Sequence, residues 1–237
     1  IAEGDFLGAQ VLNQGKTTSA VFERFDISDE VNSGVGLVTL FGHSSSTITD
    51  IEIGFASDPG FGYNNTGDYP VLLVNGCNAG NIFTNTRTLG EDWTLTPEKG
   101  AIAFMSNSAF ASSSSLRRFS ELYYELAYAN EESFGFSLGN ILREVASQFY
   151  LRWGESDFSK VQILQTLLQG DPAIKPFAAT QPDFSLLQEE IEADPFTGDR
   201  VLAQQDSFKL EFPVRNFGKT SPDSLSIAVS RVFPGGA

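Results

Sequence analysis

Two long apolar runs constrain the fold of this chain most, because each is bounded by glycine and each ends at a reactive side chain. Residues 36–42 lead into His43, and residues 69–76 lead into Cys77. Apolar runs of this kind, without polar alternation, are typical of strands that are buried on both faces of a parallel sheet. The sequence therefore predicts two core strands, with the only histidine and the only cysteine of the chain directly after them.

Beyond these runs, the chain alternates between strand and helix patterns up to about residue 176. A third buried strand is predicted at residues 101–106, and the serine run at 112–115 predicts a loop that ends in a helix cap. Three helices are predicted to follow, with inner faces formed by Phe119, Leu122, Tyr123 and Leu126, then by Leu138, Ile141, Leu142, Val145 and Phe149, then, over residues 159–169, by Val161, Leu164 and Leu168. The alternation favours an α/β fold over an all-β fold.

A change of composition near residues 178–182 predicts a second domain. Residues 1–180 form the α/β domain in this interpretation, and residues 181–237 form a separate β module. Alternation of apolar and polar residues at 208–214 and at 225–232 predicts two strands of an antiparallel sandwich. Two or three strands cannot build a sandwich core, so the module is predicted to be partial.

Composition excludes several classes of function. The net charge of −15 argues against nucleic-acid binding, which depends on neutralising phosphates. No apolar segment approaches the roughly 18 residues that span a bilayer. Because the chain has only one cysteine, it cannot form an internal disulfide. Because it also has only one histidine, a zinc enzyme is improbable, and no cofactor is predicted. A structural calcium ion in the acidic loop at residues 58–68 stays an open alternative, with no ligands assigned.

The pairing of His43 with Cys77 predicts thiol chemistry. Catalytic groups in open α/β sheets collect beyond the carboxyl ends of the strands, so the imidazole and the thiol are expected at one edge. A histidine within hydrogen-bonding reach converts a thiol to the nucleophilic thiolate. Gly42 and Gly76 are predicted to permit the tight bend at each strand end. The backbone N–H groups of Ser44 and Cys77 are the candidates for an oxyanion hole.

Other interpretations of these residues stay open at this point. In the alternative interpretation, Cys77 is a small buried apolar residue and His43 is an ordinary hydrogen-bonded loop residue, and neither is catalytic. The serines at positions 44–46 are weaker nucleophile candidates, because they lack the Gly-x-Ser-x-Gly turn and depend on the same histidine.

Four short motifs, taken in order, resemble the gingipain-like cysteine peptidases. They are FGHSSS at 41–46, VNGCNAG at 74–80, GAIAF at 100–104 and LQGDPAIK at 168–175. The resemblance covers about residues 30–176 and implies a caspase-like α/β fold. It also implies a cysteine endopeptidase that cleaves protein or peptide substrates, with Cys77 as nucleophile and His43 as general base.

The resemblance further implies a secreted or outer-membrane-associated location and an immunoglobulin-like identity for the β module. One similar branch is the type IX secretion peptidase, a sortase-like transpeptidase that removes carboxyl-terminal signals, which would add secretion-system partners. A non-catalytic binding protein with the same fold is the competing function. Two departures stand out: Ser44 replaces the usual glycine, and the acid that orients the histidine would precede residue 1, so this fragment by itself is expected to be impaired.

Overall fold

The computed structural model describes residues 14–176, 182, 184–186, 191–196, 201, 207–216 and 224–230. Contacts divide the chain into two compact units, Ile1–Ala178 and Ala179–Ala237. The strands of the first unit are β1 (Glu23–Arg24), β2 (Leu37–Phe41), β3 (Ile51–Glu52), β4 (Val71–Asn75), β5 (Ala103–Asn107) and β6 (Thr166–Gly170). Its α-helices are α1 (Ser28–Asn32), α2 (Leu89–Leu95), α3 (Ser113–Tyr124), α4 (Leu138–Trp153) and α5 (Asp157–Gln165), and it also contains a 3₁₀ helix (Pro59–Phe61) and a π-helix (Glu125–Ala129).

A four-stranded sheet in the order β2-β4-β5-β6 forms the centre of the first unit. β4 is parallel to both of its neighbours, β2 and β5, whereas β6 runs antiparallel to β5. Every residue of β4 and of β5 is buried, as expected of strands covered on both faces. The predicted α/β fold with a parallel sheet is confirmed, with β6 as an antiparallel addition that the sequence did not indicate.

Side chains of β4 alternate between two separate apolar cores. Val71 and Leu73 pack in the core that contains the buried faces of α3 and α4. Leu72 and Val74 point into a second core, where the fully buried Trp93 of α2 donates its indole N–H to the carbonyl of Gly54 at 2.9 Å. Because both faces are covered by apolar side chains, the strand shows no polar alternation in its sequence.

The helices α3 and α4 carry the inner faces that the periodicity predicts. The predicted residues Phe119, Leu122, Tyr123, Leu138, Ile141, Val145 and Phe149 are buried, and Leu142 is partly buried against the same core. Leu126 is also buried, but it lies in the π-helix that follows α3. The serine run differs slightly from its prediction, because Ser112 is the cap and accepts from the N–H of Ser115 at 3.2 Å, while the remaining serines already form the first turn of α3.

The helix predicted over residues 159–169 is wrong in both its end and its inner face. α5 stops at Gln165, and residues 166–170 form β6, which pairs with β5. Leu164 is 78% exposed, while Gln162 is buried and donates to the side-chain oxygen of Asn107 at 3.2 Å. Pairing with β5 satisfies the backbone of residues 166–170, so tertiary context overrides the local helical pattern.

The second unit contains short strands in antiparallel pairs. These are β7 (Phe184–Ser185) with β10 (Arg215–Asn216), and β8 (Glu192–Pro195) with β9 (Phe208–Glu211). The strand predicted at 208–214 is present in its first half. The strand predicted at 225–232 is wrong over residues 225–230, which are irregular, and residues 231–232 lie outside the described part. The domain boundary at 180, the partial module at 181–237 and its immunoglobulin-like identity stay predictions.

Helices within the described ranges are all too short or too polar to cross a lipid bilayer.

Candidate active site

The register of the central sheet brings the loops of His43 and Cys77 to one edge. Phe41, the last residue of β2, lies opposite Asn75, the last residue of β4. His43 and Cys77 each follow two positions after this pair. Neighbouring strands lie about 4.8 Å apart, so the two loops leave the carboxyl edge of the sheet side by side.

The peptide unit that follows Cys77 is held from both sides. Its carbonyl oxygen, that of Cys77, accepts a hydrogen bond from the hydroxyl of Ser44 at 2.8 Å. Its N–H, that of Asn78, donates to the carbonyl of Ala109 at 3.1 Å. Asn78 has a φ of 59°, a left-handed conformation that asparagine tolerates better than most residues. The backbone turn at Cys77 is therefore fixed by the loop after β2 and by the loop after β5.

The thiol of Cys77 is free and half-buried. Its Sγ lies 3.7 Å from the carbonyl oxygen of Ala111, so the loop after β5 contacts the sulfur as well as the backbone. His43 is exposed, and its carbonyl accepts from the N–H of Asp50 at 2.8 Å. No hydrogen bond joins the imidazole to the thiol within residues 14–176. Catalytic hydrogen bonds are often long in enzymes without bound substrate.

The two backbone N–H groups named for the oxyanion hole are not used by the fold. Ser44 pairs with Thr49 in an antiparallel bridge, but the bonds of that bridge run from Ser45 to Ile48 and from Asp50 to His43, both at 2.8 Å. Across the described part of the chain, neither the N–H of Ser44 nor that of Cys77 donates a hydrogen bond. Neither donor is therefore committed to another group of the fold.

Gly42 and Gly76 are required for space and not for conformational freedom. Both lie at bends directly after their strands, as predicted, but neither has a positive φ. A Cβ on Gly76 would lie 2.0 Å from the Ser44 hydroxyl oxygen and 3.0 Å from the Gly42 carbonyl oxygen. A Cβ on Gly42 would lie 2.2 Å from Oδ1 of Asp50. The absence of a side chain at Gly76 lets the His43 and Cys77 loops touch, and its absence at Gly42 leaves room for the Asp50 carboxylate.

Sequence reasoning missed the loop after β5. Ala109 and Ala111 act through backbone carbonyls, which leave no mark in residue type. The available signal was positional, because this loop follows a third buried strand at the same carboxyl edge. A carboxylate beside the His43 loop was also missed: Asp50, whose Oδ1 accepts from the N–H of Ile51 at 3.0 Å and whose Oδ2 lies 3.8 Å from Nζ of Lys16.

The Ser44→Ala variant tests the bond between the two loops. It removes the hydroxyl donor to the part-buried Cys77 carbonyl, so we expect the free energy of unfolding to fall by about 1 kcal/mol in urea denaturation. Ser45→Ala is the matched control, because the Ser45 hydroxyl only accepts a 3.4 Å contact from the N–H of Thr47. Equal losses in the two variants would contradict a specific role for the Ser44 hydroxyl.

Acidic side chains also occur outside the His43 and Cys77 loops. In the second unit, exposed carboxylate oxygens of Glu192, Asp194 and Glu211 lie within 4.8 Å of one another, and Lys209 pairs with Glu211. In the loop at 58–68, the Asp58 carboxylate accepts from the N–H of Gly60 at 2.8 Å as a helix cap. The absence of a catalytic cofactor stays a prediction, and so does structural calcium.

Solved structures similar to this chain are peptidases. Gingipain R (RgpB), described as an Arg-specific cysteine proteinase, superposes with a TM-score of 0.55 at 15% identity, covering 68% of this chain and 38% of that one. The complex of Porphyromonas gingivalis RgpB pro- and mature domains gives a TM-score of 0.53 at 18% identity, covering 68% and 39%. This likeness shows the fold, and the chain spans well under half the length of either relative.

No curated protein matches the chain by sequence. Residues 5–177, which include the whole central sheet and both candidate loops, match Peptidase family C25. This match covers most of the chain and agrees with the gingipain resemblance of the four motifs. The chain therefore belongs to peptidase family C25, the gingipain family of cysteine peptidases.

Proposed function

We propose that the protein containing this chain is a cysteine endopeptidase in which Cys77 is the nucleophile and His43 the general base. The observation that carries the proposal is the peptide unit after Cys77, which is held by Ser44 on one side and by Ala109 on the other. This arrangement keeps a half-buried thiol at the edge where His43 emerges. A nucleophile needs such a fixed position relative to its base.

The proposed reaction proceeds through an acyl-enzyme. His43 accepts the thiol proton, and the thiolate of Cys77 attacks the carbonyl carbon of the scissile bond. The unused N–H groups of Ser44 and Cys77 donate to the oxyanion of the tetrahedral intermediate. His43 then protonates the leaving amine, and water releases the acyl group. In a transpeptidase an amine takes the place of water, with the same residues in the same roles.

Protein or peptide substrates and a secreted or cell-surface location belong to the same proposal. Their support is membership of the family and the four ordered motifs. A type IX secretion partner rests on the resemblance alone.

Alkylation of the thiol tests the proposal directly. A free cysteine with a pKa of about 8.5 is only a few per cent thiolate at pH 7, so a thiol paired with His43 should react with iodoacetamide about tenfold faster. We expect His43→Ala in the full-length protein to return the rate at Cys77 to that of a free thiol. Mass spectrometry of the Cys77 peptide measures both rates.

Thr47→Ala is the control, because it changes an exposed residue of the same loop without touching the thiol or the imidazole. It should label as fast as the parent protein. A wild-type rate no higher than that of a free thiol, and unchanged by His43→Ala, would instead support a non-catalytic binding protein.

A further inference from the structure

The loop that follows β5 holds the turn that carries the nucleophile, residues 77–80. The carbonyl of Asn107, the last residue of β5, accepts from the N–H of Gly80 at 2.9 Å. Two further carbonyls of this loop accept from the N–H of Asn78 at 3.1 Å and contact the sulfur at 3.7 Å. The position of the thiol therefore depends on where the loop after β5 is held.

Side chains of α5 fix the end of β5 inside the protein. Asn107 and Gln162 are 2% and 1% exposed. Nε2 of Gln162 donates to Oδ1 of Asn107 at 3.2 Å, and Nδ2 of Asn107 donates to Oε1 of Gln162 at 3.4 Å. The hydroxyl of Thr166 also donates to Oδ1 of Asn107, at 3.0 Å. The two amides therefore face each other, and α5 is tied to the residue at which the loop after β5 begins.

Stability alone does not account for this buried amide pair. α5 buries Gln162 and leaves Phe158 and Leu164 in solvent, at 77% and 78% exposure. Replacing both members of a buried polar pair by apolar side chains of similar shape is often neutral or stabilising. A polar pair differs because its hydrogen bonds are made at one relative position of the two elements, which makes the core around it rigid. The amide pair therefore supplies a fixed position of β5 relative to α5.

We infer that Gln162 is a positioning residue for the nucleophile and that it acts through Asn107. The inference rests on the proposed function and adds to it a residue outside the His43 and Cys77 loops. The amide pair fixes the end of β5, and the carbonyls after β5 hold the turn. Asn78, at a φ of 59°, needs this support because a left-handed conformation is unfavourable for a residue with a side chain. A displaced turn moves the sulfur relative to the imidazole, and small misplacements of reacting groups cost large factors in rate.

Gln162→Met in the full-length protein tests the inference, because it keeps the length of the side chain and the helix propensity but removes both hydrogen-bonding atoms. We expect the rate of iodoacetamide labelling at Cys77 to fall about fivefold at pH 7. In the His43→Ala background the same substitution should leave the rate unchanged, because the thiol then has no base to be positioned against. This dependence on His43 is a result that a merely structural role of Gln162 does not produce.

Gln165→Met is the matched control, because it makes the same change at an 8% exposed residue of the same helix. The side-chain oxygen of Gln165 has no partner among the described residues. Its hydrogen bond to the N–H of Ser108, at 2.8 Å, is made by the main-chain carbonyl and does not depend on the side chain. The rate at Cys77 should therefore equal that of the parent protein.

The double variant Asn107→Leu with Gln162→Met separates positioning from stability. It leaves neither amide buried without its partner, so the melting temperature should recover toward that of the parent protein, while the labelling rate should stay low. If the double variant does not fold, Thr166→Val decides instead: it removes only the hydroxyl that donates to Asn107, and the rate should fall about twofold.

The outcomes distinguish the inference from the proposed function. A Gln162→Met protein that labels as fast as Gln165→Met, a rate that recovers together with the melting temperature in the double variant, or an unchanged rate in Thr166→Val would overturn the inference. Fast labelling of the parent protein that depends on His43 would then leave the proposed function standing. A parent rate no higher than that of a free thiol would overturn both.

Discussion

Cys77→Ala in the full-length protein should lower the rate of peptide cleavage by at least about 1,000-fold, because no other residue of the chain supplies a thiolate. Cleavage of a fluorogenic peptide that the full-length protein hydrolyses measures the loss. Cys77→Ser should lose nearly as much, since a serine hydroxyl next to the same imidazole is a far weaker nucleophile than a thiolate.

Stability separates this loss from a loss of fold. Within the described residues the sulfur makes one weak hydrogen bond, at 3.7 Å to the Ala111 carbonyl, so Cys77→Ala should change the melting temperature only slightly. The bonds donated by the Ser44 hydroxyl and by the Asn78 N–H do not involve the sulfur and should persist in the variant. A Cys77→Ala protein that folds normally and still cleaves the peptide would remove Cys77 from the reaction.

The elements that the sequence predicted well are those whose burial is nearly complete. β4 and β5 lie between two apolar cores, so their positions are apolar up to the carboxyl ends, where Asn75, Ser106 and Asn107 are polar, and the pattern is clear. α3 and α4 each bury one face, which gives an unmixed helical period. In these elements the local pattern and the tertiary environment agree.

Prediction failed where a neighbouring strand decided the structure. β6 is a strand because it pairs with β5, and the residue types of β6 do not indicate this pairing. The inner face of α5 is formed by Ser159, Gln162 and Gln165, because Gln162 bonds to Asn107 at the end of β5. Buried polar contacts of this kind reverse the expected face, since Val161 and Leu164 of the same helix are then left in solvent.

The candidate site likewise contains residues that the sequence predicted and groups that it could not predict. His43 and Cys77 were predictable as single residues of their type at the ends of buried runs. The groups that fix the backbone around them could not be predicted. The carbonyl of Ala109 and the backbone N–H groups are main-chain groups, which the residue type does not reveal. The role of the Ser44 hydroxyl was also hidden, since a serine in a serine-rich loop gives no indication of a bond to a carbonyl 33 positions away.

Gly76→Ala should destabilise the protein by about 3 kcal/mol, measured as the free energy of unfolding in urea. Its Cβ would lie 2.0 Å from Oγ of Ser44 and 2.8 Å from the Ser44 Cβ, so the two loops must separate and the bond from Ser44 to the Cys77 carbonyl must break. Gly36→Ala is the matched control at the other end of the sheet, because a Cβ there meets no atom within 4 Å, and it should cost less than about 0.5 kcal/mol.

A second substitution identifies the atoms responsible. Ser44→Gly removes both the hydroxyl and the Cβ that the new methyl group would meet, leaving only the Gly42 carbonyl oxygen at 3.0 Å. The double variant Ser44→Gly with Gly76→Ala should therefore lose less stability than the sum of the two single variants, by about 1 to 2 kcal/mol. Strict additivity would mean that Gly76 is required for some reason other than contact with Ser44, and that the two loops are held together by something else. Because the same contact positions the backbone of Cys77, the coupling should also appear in the iodoacetamide rate of the double variant, which we expect to recover toward that of Ser44→Gly alone.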